Sequence, residues 1–154
     1  MHTIYLALGS NVGKKATFLT QAIDKLKKQL QNVTLADFYT TQPMYVEDQE
    51  EFLNTVMRAE TSLSPESLLT FVKGLEKEIG RKERFRNGPR EIDIDILFYN
   101  DVIMHTNLLQ IPHPRIQERN FVLRPFMDIA PEFMHPVLKK TIKEIYKKLN
   151  MREE

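Results

Sequence analysis

Residues 88–101 read GPREIDIDILFYND, an apolar run interrupted by two acids, Asp93 and Asp95, one residue apart. Side chains alternate along a β-strand, so the two carboxylates share one face and Ile92, Ile94 and Ile96 share the other. Same-face neighbours lie roughly 7 Å apart, and at an effective dielectric of about 20 their repulsion is on the order of 2 kcal/mol. Something positive must offset it. Either arginine or a divalent cation would serve; hard oxygen ligands in small number suit Mg²⁺, which keeps waters and phosphates in its remaining positions.

Cations are close in sequence. The run GRKERFRNGPR, residues 80–90, carries Arg81, Lys82, Arg84, Arg86 and Arg90 and leads straight into the acidic strand. A solvated loop pairing with Glu78, Glu83 and Glu91 is the plain reading, since surface ion pairs are common and weak. Beside paired carboxylates, the same arginines suit a polyphosphate–Mg²⁺ complex, because guanidinium forks hold phosphate oxygens.

Three further stretches hold chemistry-bearing residues. In TTQPMYVEDQEEFLNTV (40–56) a long loop precedes a strand on which Phe52 and Asn54 share a face, a platform for a flat heterocycle. In IPHPRIQERNFVLRPF (111–126), His113 sits between two prolines, followed by Arg115, Arg119 and Phe121, company that suits an anion. GSNVGKK (9–15) imitates a phosphate loop, but Gly9 and Gly13 are one residue too close and Lys15 stands where a hydroxyl should hold Mg²⁺. It reads as a tight strand-to-helix turn.

The elements that must position these residues follow from periodicity. Thr3–Leu8 is a buried strand closed by Gly9. Ala16, Leu19, Ile23, Leu26 and Leu30 mark an amphipathic helix with lysines at its C-terminal end. Val33–Tyr39 and Phe52–Thr61 predict two more strands. Ser64, Pro65 and Glu66 open a second helix, striped by Leu68, Phe71, Val72, Leu75 and Ile79 and stopped at Gly80. Ile92–Tyr99 is the fourth strand, and Thr141 with Glu144 caps a last helix. The order βαββαβ predicts an α+β, ferredoxin-like antiparallel sheet, both helices on one face, the other face free for a site, and a helical C-terminal extension.

Composition narrows the classes. The 154 residues suit a single domain, residues 1–154; 22 Lys+Arg against 21 Asp+Glu give no bulk field to recruit nucleic acid or an anionic membrane. The absence of cysteine removes disulfides and thiolate chemistry and fits a cytoplasmic location. The N-terminal apolar stretch is too short for a signal peptide or a membrane span. An RNA-binding sheet is the first alternative, but no stretch matches an aromatic RNP1 pattern. A small-molecule-sensing module is the second, since fold does not fix function.

In order and spacing, LALGSNVG, YTTQPMYVEDQEEFLNTV, GPREIDIDILFY and IPHPRIQERNFVLRPFMDIAPE resemble the 6-hydroxymethyl-7,8-dihydropterin pyrophosphokinases of folate biosynthesis. The resemblance implies transfer of pyrophosphate from ATP to the pterin hydroxymethyl oxygen, with AMP released and two Mg²⁺ ions between Asp93 and Asp95. It implies Arg81 and Arg90 as phosphate-stabilising cations. The pterin would lie between Phe52 and Phe121, read by Asn54 and helped by groups around Thr41 and Pro43. Arg84, Arg86, Ile96, His113, Arg115 and Arg119 become candidate nucleotide contacts, with Lys73 and Glu76 flanking the adenine. Asn87 stands where many members carry tryptophan. Partners would be the two small substrates alone, with a monomer expected.

Overall fold

Nine largely buried residues, His2–Ser10, form β1, a strand with a neighbour on each side. The computed structural model describes residues 1–42, 50–80 and 90–151. Along the chain β1 is followed by α1 (Lys15–Gln29), β2 (Gln31–Leu35), β3 (Tyr39–Thr41), β4 (Phe52–Thr61), α2 (Pro65–Ile79) and β5 (Asp93–Tyr99). A short hairpin of β6 (Met104–His105) and β7 (Gln110–Ile111), a 3-10 turn at Ile116–Glu118, α3 (Asn120–Ile129) and α4 (Ile142–Asn150) complete it. The main sheet runs β2-β4-β1-β5 with β3 also on β4, and every pairing is antiparallel. The α+β, ferredoxin-like architecture expected from the pattern is present.

Local chemistry explains the helices. Ser64 Oγ accepts the Ser67 N–H at 3.2 Å, Pro65 opens α2, and Gly80 closes it at φ 112°, a left-handed angle that a Cβ would strain. Thr141 and Glu144 make the reciprocal capping box of α4.

Two apolar layers sandwich the sheet. On one face Ile4, Leu6 and Leu8 of β1, Met57 and Ala59 of β4, and Ile92, Ile94 and Ile96 pack under α1 and α2. On the other, Tyr5, Val56, Leu97 and Phe98 pack under α3 and α4 through Val122, Phe126, Ile142 and Ile145. The second face is therefore not free, as the pattern had suggested. The C-terminal helices cover it as far as the rings of Tyr5, Phe98, Phe126 and Phe133, and among the described residues this cluster stops short of the end toward Gly9.

A register slip makes this possible. Tyr5 pairs Phe98 but Leu6 pairs Ile96, so Leu97 is an extra residue on β5. The bulge lets Leu97 and Phe98 both face the second core while Ile96 faces the first. Two other sequence expectations change. The strand read over 33–39 is two, because Ala36 turns its N–H to Val56 C=O and leaves Asp37 and Phe38 exposed. Gly9 does not close β1 but lies within it.

Candidate functional site

The Gly9 end of the second face is built in rows. Gly9 pairs Asp93 on one side and Asn54 on the other, and Asn54 pairs Tyr39. Ala7 pairs Asp95 and Val56 in the next row. Directly opposed residues share a face, so both acids, Asn54 and its neighbours look the same way. Asn54 lies two strands from Asp93, about 10 Å across the sheet.

Gly9 is what lets the amide sit there. A Cβ at position 9 would lie 2.7 Å from Asn54 Oδ1 and 3.6 Å from Phe52 Cδ1. Asn54 is 5% exposed, and its Nδ2 donates to Thr41 Oγ1 at 2.6 Å. Thr41, Phe52 and Asn54 are thus brought together. The amide oxygen stays above the bare glycine backbone.

The acids differ in their surroundings. Asp93 Oδ1 accepts from Arg90 Nη1 at 3.2 Å, a half-buried ion pair. Asp95 has no ion pair among the described residues. Burial and then the negative charge of Asp93 push its carboxyl up to about 7, against the weaker opposing pull of Lys73 and Arg119. A carboxylate without an ion pair among the described residues, beside a second one, is a fit for a bound divalent cation. Among the described residues no cluster of three or more His, Cys, Asp or Glu side chains is poised for a metal, so two carboxylates are what this face provides.

His113 follows β7 and hangs its N–H on Leu97 C=O at 3.0 Å. Its Nδ1 accepts the Arg115 N–H at 3.3 Å, which leaves Nε2 as the donor in the neutral ring. Burial first, then the positive charge of Arg119, lowers its pKa to about 4. Arg115 pairs with Glu118 at 2.8 Å. Arg119 lies over the Phe121 ring, 5.4 Å from its centroid, and is felt by both Asp95 and His113. His113, Arg119 and Phe121 therefore flank the acids.

Not all the expected residues are gathered in this way. Ile96 is 5% exposed in the first core, leaving only its backbone for a ligand. Glu76 is buried, its carboxylate on the Ile94 N–H at 2.7 Å, with Lys73 beside it at 3.4 Å. Pro43, Arg81, Arg84, Arg86 and Asn87 lie outside the described residues.

One site residue escaped the sequence reading. Asn11 is fully buried, its N–H donating to Arg90 C=O at 3.1 Å and its Oδ1 accepting Arg90 N–H at 2.8 Å. Its Nδ2 donates to Glu50 C=O at 3.3 Å, and Lys15 reaches Glu51 C=O at 3.0 Å. The turn that imitates a phosphate loop instead ties the end of one candidate loop to the end of the other. An asparagine directly after a strand that ends in Gly-Ser was the only available signal.

The profile of the 7,8-dihydro-6-hydroxymethylpterin-pyrophosphokinase family matches residues 5–131. A 2-amino-4-hydroxy-6-hydroxymethyldihydropteridine pyrophosphokinase of Aquifex aeolicus is 46% identical over 144 residues, covering 94% of this chain and 90% of its own. A folic acid synthesis protein of Dictyostelium discoideum is 45% identical over 148 residues, or 96% of this chain, which spans only 22% of that longer protein. Among solved structures, HPPK-DHPS in complex with substrates superposes with a TM-score of 0.80 at 19% identity, over 99% of this chain and 44% of that one. That likeness concerns the fold alone.

Proposed function

The chain belongs to the 7,8-dihydro-6-hydroxymethylpterin-pyrophosphokinase family, and on that premise we infer that it transfers pyrophosphate from ATP to 6-hydroxymethyl-7,8-dihydropterin, a step of folate biosynthesis. The observation that carries the reading is the row Asp93–Gly9–Asn54, which sets an amide and an acid pair on one sheet face about 10 Å apart. A flat heterocycle read by Asn54 extends its side arm toward the acids.

In the reaction the pterin hydroxyl oxygen attacks the β-phosphorus of ATP. The new O–P bond forms in line as the bridge to the α-phosphate breaks, AMP departs, and the hydroxyl proton passes to solvent. Such transfers need positioning and electrostatics rather than a covalent enzyme intermediate. Asp93 and Asp95 would hold the two Mg²⁺ expected for the family, and bound there the metal neutralises charge on the transferring phosphates. Phe52 and Phe121 stack the pterin. Arg90, fixed by Asp93 and Asn11, meets the transferring phosphates together with Arg81. His113 offers an Nε2 donor to the nucleotide, and Arg115, Arg119, Arg84 and Arg86 add positive charge.

No helix among the described residues is long and apolar enough to cross a membrane. We read the chain as one monomeric, cytoplasmic domain with small-molecule partners only.

Asp95→Ala tests the assignment. Turnover should fall at least a thousandfold while the pterin still binds with Kd within about threefold, since its contacts lie two strands away. Retained turnover would remove Asp95 from the metal site.

A further inference from the structure

Among the described residues no strand lies beside the outer edge of β5, which ends the path β2-β4-β1-β5. Successive residues in a strand turn their N–H and C=O to opposite edges. With Asp93 and Asp95 bonded toward β1, the peptide groups of Ile94, between them, face outward. An unpaired buried peptide is costly, and Ile94 is fully buried. Here α2 supplies with two side chains what a missing strand would have supplied with backbone. Glu76 Oε2 accepts the Ile94 N–H at 2.7 Å, and Lys73 Nζ reaches the Ile94 C=O at 3.4 Å. The two partners also meet each other, Nζ to Oε2, at 3.4 Å.

A neutral acceptor could meet the Ile94 N–H without burying a carboxylate that is 3% exposed. A charge retained there calls for a function that depends on the strand's exact placement. We propose that Lys73 and Glu76 are positioning residues: a side-chain clamp on the Ile94 peptide that fixes how Asp93 and Asp95 project from β5. This rests on the reading of Asp93 and Asp95 as the acids of the transfer site. It assigns the pair a task at the strand edge instead of at the adenine. Ion pairing with Lys73 holds the Glu76 carboxylate in place, and the i,i+3 spacing on α2 spans the N–H and the C=O of one residue of β5.

The test joins amide hydrogen exchange by NMR on the free protein with steady-state kinetics on Glu76→Ala, Glu76→Gln and Lys73→Met. In Glu76→Ala, Ile94 N–H exchange should quicken by about a hundredfold while amides of the β1–β4 ladder keep their protection. The value of kcat should fall about 10–100-fold, as for other residues that orient metal ligands, with KM for ATP changed less than about threefold. Glu76→Gln, which retains an acceptor, should recover most of both effects, and Lys73→Met should lower kcat by a smaller factor. If the alanine variant fails to fold, the glutamine and methionine variants carry the comparison. A tenfold rise in KM for ATP with kcat and Ile94 exchange unchanged would assign the pair to the nucleotide and overturn the clamp. Faster exchange with unchanged kcat would also overturn it, as a plain edge cover. Wild-type protein that makes no AMP would instead remove the underlying transfer reading, while its Ile94 exchange still reports whether the peptide is held.

Discussion

At the scale of single residues, the site depends on which groups are charged. Asp95 titrates near 7 when folded, above its ordinary 3.8. Between those values the folded, metal-free protein holds a proton that the unfolded chain has lost, so this group's contribution to stability is greatest at the acidic end and falls as pH rises toward 7. His113, lowered to about 4, works in the opposite sense, its contribution being lost as pH falls below about 6.5. Neither of these two groups is charged near pH 5.5. Cation binding needs ionised Asp95, so affinity for the metal–nucleotide should weaken about tenfold per unit below pH 7 and level off above it. Carboxyl carbon NMR of the metal-free protein checks the origin: an Asp95 inflection below about 5 would contradict the burial-and-repulsion account.

At the scale of elements, the glycine in β1 matters as much as the acids in β5. Gly9→Ala would place a methyl 2.7 Å from an amide oxygen whose side chain is buried and tied to Thr41. Overpacking of this kind costs about 1–3 kcal/mol. It should lower thermal stability by that amount and also weaken pterin binding; calorimetric titration showing wild-type affinity would mean that the amide does not read the ligand.

Elements with clean periodicity were legible in the sequence. β4 was read with its observed bounds, and the caps of α2 and α4 named their own ends. The helix α3 was not foreseen. Its cap position is Arg119, whose side chain does not cap the helix, and Pro125 inside it breaks the usual reading of a helical run. The acids, Phe52 and Asn54 were legible because strand alternation alone fixes their faces. Asn11 was not, because its role consists of bonds to residues about 40 and 80 positions away, which no local pattern carries.

For the whole molecule, the sheet works as a partition. One face is sealed by α1 and α2; the other is half-sealed by α3 and α4, and the acids sit just beyond that seal. The C-terminal helices thereby set the depth of the site, which a free-standing βαββαβ sheet would lack. Phe126 is the centre of the seal, fully buried, stacked on Tyr5 at 4.6 Å and edge-on to Phe98 at 5.8 Å. Phe126→Ala should cost about 3–5 kcal/mol in chemical denaturation. A loss under about 1 kcal/mol would show that the second core is not integral to the fold.

The central claim is pyrophosphoryl transfer to a pterin, and nucleotide product analysis tests it most directly. Protein, ATP, Mg²⁺ and 6-hydroxymethyl-7,8-dihydropterin should yield AMP and pterin diphosphate one for one, with nothing formed in EDTA. ADP in place of AMP would put the attack at the γ-phosphorus and contradict the account.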